Sequence, residues 1–137
     1  MPLPIDGTDA QLAKRIGVVT AEPILAQGLA LLLDAEPGLR SETVPADLSG
    51  ALGLLSDGKV DALIVDEDAL RPAGTAAIAS TLATTPGAGV VLLASNRHDP
   101  SVVTAPSRLR VVDKHSGTGG VVTALRELLL AAQQLPA

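Results

Sequence analysis

The sequence predicts one α/β domain, a parallel sheet with helices wound over both faces. Three observations predict it. Residues 62–65 (ALIV, led in by Val60) and 90–94 (VVLLA) are apolar without alternation, as strands buried on both faces are. Strand-like runs alternate with helical spacings through short connections, which right-handed crossovers turn into one parallel sheet. The 137 residues are one domain's worth, and 47% of them are apolar.

In order, residues 1–13 read as a tail of Pro, Gly and Asp, and residues 134–137 as the start of a linker or a C-terminal tail, leaving 14–133 as the domain. Residues 15–20 (RIGVVT) are a short strand. Pro23 opens a helix on which Ile24, Leu25, Gly28, Leu29 and Leu32 are expected on one face, and Glu36-Pro37-Gly38 stops it. Residues 39–44 form a more polar strand, suited to a sheet edge. Asp47 is placed to cap a helix whose Leu48, Ala51, Leu52 and Leu55 follow the i, i+3, i+4, i+7 rule. Asp57-Gly58 ends that helix. The buried strand after it finishes on three acids, Asp66, Glu67 and Asp68.

Pro72 suits the first turn of an Ala-rich helix over 73–84, with Ile78 and Leu82 as its larger contacts. TPGAG is a turn into the strand 90–94. Residues 95–108 hold Pro100 and Pro106, which leave room for at most one short helix. Residues 109–113 are a fifth strand, followed by Lys114. Residues 116–120 (SGTGG) read as a turn with Thr118 as a cap. The last helix is expected to bury Val121, Val122, Leu125, Leu128, Leu129 and Ala132, with Leu130 facing away.

Composition removes whole classes of function. There is no Phe, Tyr or Trp, so bases cannot be stacked on aromatic rings. A formal charge of −5 gives no electrostatic footprint for nucleic acid or an anionic membrane. Without Cys there is no disulfide, thiol catalysis or thiolate zinc site. No apolar run approaches the ~20 residues of a membrane span. The first ten residues carry two acids and no basic region, unlike a signal peptide, so a cytoplasmic protein is the expectation.

Parallel strands put their carboxyl ends on one edge, where sheets of this kind hold their sites. That edge is expected to gather Thr20-Ala21-Glu22, Asp66 to Asp68, Ala94-Ser95 and Lys114-His115. A carboxylate opposite an ammonium is an ion pair. It also suits phosphoryl chemistry, the carboxylate as nucleophile and the Lys neutralising phosphate charge.

These residues resemble a response-regulator receiver domain, the flavodoxin/CheY-like fold, of the NarL/FixJ type. The similarity runs from residue 15 to about 132. It rests on VVTAEPILAQGLALLLDAEPGL, on VDALIVDEDAL, and on the spacing from Lys114 to Ala124-Leu125-Arg126. The resemblance implies a five-stranded sheet in the order 2-1-3-4-5, a phosphoacceptor at Asp66 and a phosphate-contacting lysine at Lys114. It also implies a C-terminal helix-turn-helix, outside this chain, through which DNA would be bound.

The departures from that pattern are as informative. The family's two metal-holding acids after the first strand are here Thr20 and Ala21, with Glu22 one place later. Mg²⁺ wants charged oxygen ligands, so no cofactor is expected and Mg²⁺ binding is weak or absent, with Glu22, Asp66 and Asp68 as the remaining ligands. The switch hydroxyl after the fourth strand is Ala94, beside Ser95, and the switch aromatic of the fifth strand is Val111. The helix between those strands is shortened or missing. This resembles an atypical receiver, or pseudo-receiver, in which Asp66 and Lys114 survive as an ion pair.

The function expected is therefore regulatory and not enzymatic: dimerisation or partner contact independent of phosphorylation, with Leu130 and Leu135 as a dimer face. One alternative is a phosphorylatable receiver taking phosphate on Asp66 from a sensor histidine kinase. Another is a pseudo-receiver sensing a small-molecule ligand in the crevice beside residues 95–108. His98 and His115 lack companions spaced for a metal site. SGTGG lacks the Lys-Ser/Thr ending of a P-loop.

Overall fold

In the computed structural model, residues 13–45, 47–70, 74–94, 108–113 and 118–133 are described. The element order is β1 (Lys14–Val19), α1 (Pro23–Ala35), β2 (Leu39–Glu42), α2 (Leu48–Ser56), β3 (Ala62–Asp66), a 3-10 turn (Glu67–Ala69), α3 (Gly74–Thr84), β4 (Gly89–Ala94), β5 (Leu109–Asp113) and α4 (Thr118–Gln133). The strands form one sheet in the order β2-β1-β3-β4-β5, every pairing parallel. The expected five-stranded doubly wound architecture and strand order are both observed.

All residues of β3 and β4 are buried, which is why their sequences do not alternate. Side chains of successive residues go to opposite faces and build two cores. Val19, Leu63, Val65, Val90 and Leu92 meet α2 and α3 on one face. Ile16, Ala62, Ile64, Val91 and Leu93 meet α1 and α4 on the other. The short edge strand β2 is the more polar one, as expected.

The helices follow the sequence pattern closely. Leu48, Ala51, Leu52 and Leu55 are all buried, and Asp47 caps α2 by accepting from Gly50 N at 2.9 Å. Gly58 takes φ +77° after α2, a left-handed value that Gly adopts without strain. Ile78 and Leu82 of α3 are both buried, as expected.

Three expectations need correction. Ile24 is 85% exposed, and Gly28 is exposed too. The buried face of α1 is Leu29 and Leu33, with Leu25 and Leu32 packed beside them. One residue is 100° of helix, so Ile24 sits just off a stripe whose true phase is set by Leu33. In α4 the buried face is Val121, Ala124, Leu125, Leu128 and Leu129, with Val122 only half-buried. The helix already begins at Thr118, so Gly119 and Gly120 are helical and not part of a turn. Leu130 does face away, 56% exposed.

The expectations for residues 1–12, Pro72, residues 95–107, Lys114, His115 and residues 134–137 lie outside the described residues. Among the described residues no helix is long and apolar enough to cross a membrane.

Candidate functional site

β1 and β3 are neighbours in register, Val19 beside Val65. The next residue on each strand is therefore Thr20 and Asp66, side by side at the carboxyl edge. Asp66 is 1% exposed, and Thr20 is the other buried polar residue among those described. A carboxylate this deep needs donors. Thr20 Oγ1 donates to Asp66 Oδ2 at 3.0 Å, and the Asp68 backbone N–H donates to Asp66 Oδ1 at 3.3 Å. Asp66 thereby caps the 3-10 turn that follows β3. The Thr20 hydroxyl in turn accepts from the Glu22 backbone N–H at 3.1 Å. No buried polar side-chain atom among the described residues lacks a partner.

Glu22 is the N-cap of α1, yet its side chain makes no capping bond. It turns back toward the strand ends. One carboxylate oxygen from each of Glu22, Asp66 and Asp68 lies within 4.8 Å of the others. The sequence named this set as the remaining metal ligands, and the structure brings all three together. Ala21, the second degenerate position, is exposed beside them.

Three hard oxygen donors converging from two strand ends and one turn fit a hard divalent cation by donor chemistry. Glu22, Asp66 and Asp68 would hold such an ion. Bound there, it would place positive charge beside Asp66 and polarise an oxygen ligand at the strand ends.

The remaining sequence-predicted positions fall on the same edge or outside the described residues. Ala94 ends β4, buried, and pairs with Asp113 at the end of β5. Val111 is half-buried on β5 and offers no ring. Lys114, Ser95 and Leu135 are outside the described residues, so the ion pair expected between Asp66 and Lys114 is too. Sequence reasoning missed the Thr20 hydroxyl as a partner of Asp66. The signal was available, because a hydroxyl one residue past a strand neighbouring β3 has Asp66 within reach.

Sequence reasoning also missed a groove between α2 and α3, about 830 Å³, that runs from Ala21 and Asp68 at the carboxyl edge down to Ser56 and Thr81. Small residues at 53, 74, 77 and 80 make room for it, and a lack of bulk leaves no periodic signature.

No protein-family model matches the chain, and no curated protein matches its sequence. Solved structures do, and 57 chains match. One is a two-component response regulator of the LuxR family from Aurantimonas sp. SI85-9A1, 21% identical, TM-score 0.72, covering 87% of this chain and 86% of that one. Another is the response regulator TrrA from Thermotoga maritima in complex with Mg(2+)-BeF, 25% identical, TM-score 0.68, covering 85% and 99%. A third is the signal receiver domain of an HD domain-containing protein from Pseudomonas fluorescens Pf-5, 21% identical, TM-score 0.73, covering 89% and 90%. The chain has the CheY-like receiver fold over nearly its whole length.

Proposed function

We propose that this chain, with its receiver fold, is the regulatory domain of a two-component-type transcriptional response regulator whose output is contact with a second copy or a partner, without need of phosphoryl transfer. One observation carries the reading. Asp66 is 1% exposed and both its oxygens already accept hydrogen bonds. A nucleophile must reach its target in line, and this one is buried and accepts a hydrogen bond from Thr20, where the resembled family has an acid. Ala94 supports the same reading, since it has no hydroxyl to follow a phosphoryl group. Leu130 on α4 remains the dimer face expected from sequence. The module is regulatory and not an enzyme, and DNA is reached through a further domain of the regulator.

A second reading has its own observation. The convergence of Glu22, Asp66 and Asp68 favours a receiver that still accepts phosphate on Asp66 from a sensor kinase, with Glu22 standing in for the lost acids. Incubation with acetyl phosphate and Mg²⁺, followed by intact-mass measurement, separates the two. The first reading expects no phosphoryl adduct and an unchanged sedimentation profile. An adduct that Asp66→Asn abolishes establishes the second.

A further inference from the structure

The groove between α2 and α3 runs the length of the nine-residue helix α2, about 13 Å. At about 830 Å³ it falls within the roughly 300–1,000 Å³ of small-molecule sites. Its two ends differ in chemistry. Helices here run antiparallel to the strands, so the starts of α2 and α3 lie at the carboxyl edge. The acids at that end are already engaged: Asp68 belongs to the carboxylate cluster, and Asp47 caps α2 through Gly50. The rest of the groove needs neither.

From Leu48 and Leu52 to the far end, at Ser56, Ser80 and Thr81, the described lining residues carry no charge. Asp57 follows Ser56 but is exposed and outside the lining. A helical hydroxyl commonly bonds back to the carbonyl one turn earlier. Those of Ser80 and Thr81 bond to no described residue; it is Thr84 Oγ1 that donates to their two carbonyls. A hydroxyl both donates and accepts, so this end can satisfy another hydroxyl or a carbonyl. It offers a charged head no counter-charge, and stripping water from such a head is costly. A second copy fits the space poorly. A two-fold dimer over this face would set groove against groove and leave both empty. The large exposed apolar side chains among the described residues, Ile24, Leu31 and Leu130, stand on α1 and α4, across the sheet.

We propose that this groove binds a neutral small molecule with an aliphatic body and a hydroxyl or carbonyl head: the body along Leu48 and Leu52, the head at Ser80 and Thr81. The site does not depend on whether Asp66 accepts phosphate. A flat aromatic ligand finds no ring to stack on.

The test uses the whole ¹⁵N-labelled chain titrated with n-octanol, n-octylammonium and octanoate below their aggregation concentrations. Amides of Gly53, Ala77, Ser80 and Thr81 are expected to shift and saturate with octanol, and severalfold more weakly with either ion. Ser80→Ala combined with Thr81→Val weakens octanol about two- to tenfold, the worth of a hydrogen bond. Ser49→Ala, at the other end of the groove, leaves it unchanged. Gly53→Leu fills the groove and abolishes binding. A Cβ at 53 meets nothing within 4 Å and Leu is the better helix former, so that variant folds, which its circular dichroism checks. The proposal is overturned by an ion that binds as tightly as octanol, or by no saturable shift with octanol. It is equally overturned by an octanol affinity indifferent to the loss of both hydroxyls, an equal loss with Ser49→Ala, or binding that survives Gly53→Leu. So does self-association in sedimentation that Gly53→Leu removes count against it, because the groove then belongs to a second copy.

Discussion

The Thr20 hydroxyl donates to Asp66 Oδ2 across 3.0 Å and accepts from the Glu22 amide across 3.1 Å, joining the first strand end, the third and the start of α1 through one oxygen. Thr20→Val keeps the shape and removes that oxygen. It leaves a buried carboxylate oxygen short of a donor, which costs about 1–3 kcal/mol. Urea denaturation is expected to show a loss of that size, and an unchanged midpoint removes Thr20 from the account.

Arg108 closes the end of α3 from a distance. Its guanidinium donates to the carbonyls of Leu82, Thr85 and Ala88 at 2.5, 2.8 and 3.0 Å. These include carbonyls a helix end leaves unsatisfied. Arg108→Ala is expected to cost about 1–3 kcal/mol. Lys at 108 should not restore it, since an ammonium lacks the planar fork that reaches several carbonyls. Amide exchange over 82–90 would rise in both variants, and recovery with Lys would show that charge alone matters.

Gly17 has no room for a side chain. A Cβ there would stand 2.5 Å from Val44 Cγ1 and 3.0 Å from Leu63 Cδ2. Gly17→Ala is therefore expected to destabilise by about 1–3 kcal/mol. Adding Val44→Ala removes the nearest clash, so the double variant should lose less than the sum of the singles. Additivity in thermal melts would place the strain elsewhere.

Asp34 gives a pH signature. Hydrogen bonds from the Ser41 backbone N–H and hydroxyl hold its carboxyl below the ordinary carboxylate range, with Arg40 adding to the effect. A carboxyl depressed in the folded state adds stability above its unfolded value of about 3.9 and loses it as the pH falls through the folded value. The stability difference between the native chain and Asp34→Asn should be constant near neutrality and shrink below about pH 4. A difference that grows on acidification contradicts the assignment.

Much of this was legible in the sequence, because burial on both faces leaves unbroken apolar runs and one-sided helices leave a period. Leu48 to Leu55 could be read residue by residue. Ile24 could not. At a helix start, an apolar residue one step off the stripe looks the same in sequence as one on it, and only the packing of Leu33 fixes the phase. The acids at 66 and 68 were legible as strand-end chemistry. The turning back of Glu22 was legible as one of two accounts, since a helix-start acid satisfies the local dipole equally well in sequence; the absence of a capping bond and the approach to Asp66 and Asp68 decide between them. Arg108 was missed because its partners are backbone carbonyls some twenty residues away, which no motif encodes.

Arg126 reaches from α4 to Glu36 Oε1 and the Pro37 carbonyl, both at 3.0 Å, some ninety positions back along the chain. That clasp lies on an exposed face, and the packing beneath it does the holding. Leu29 and Leu33 of α1 share one core with Leu125 and Leu128 of α4, and Leu48 and Leu52 of α2 share the other with Ile78 and Leu82 of α3. Each face of the sheet is thus sealed by its own pair of helices, so a change at one pair is felt by the other through the strands between them.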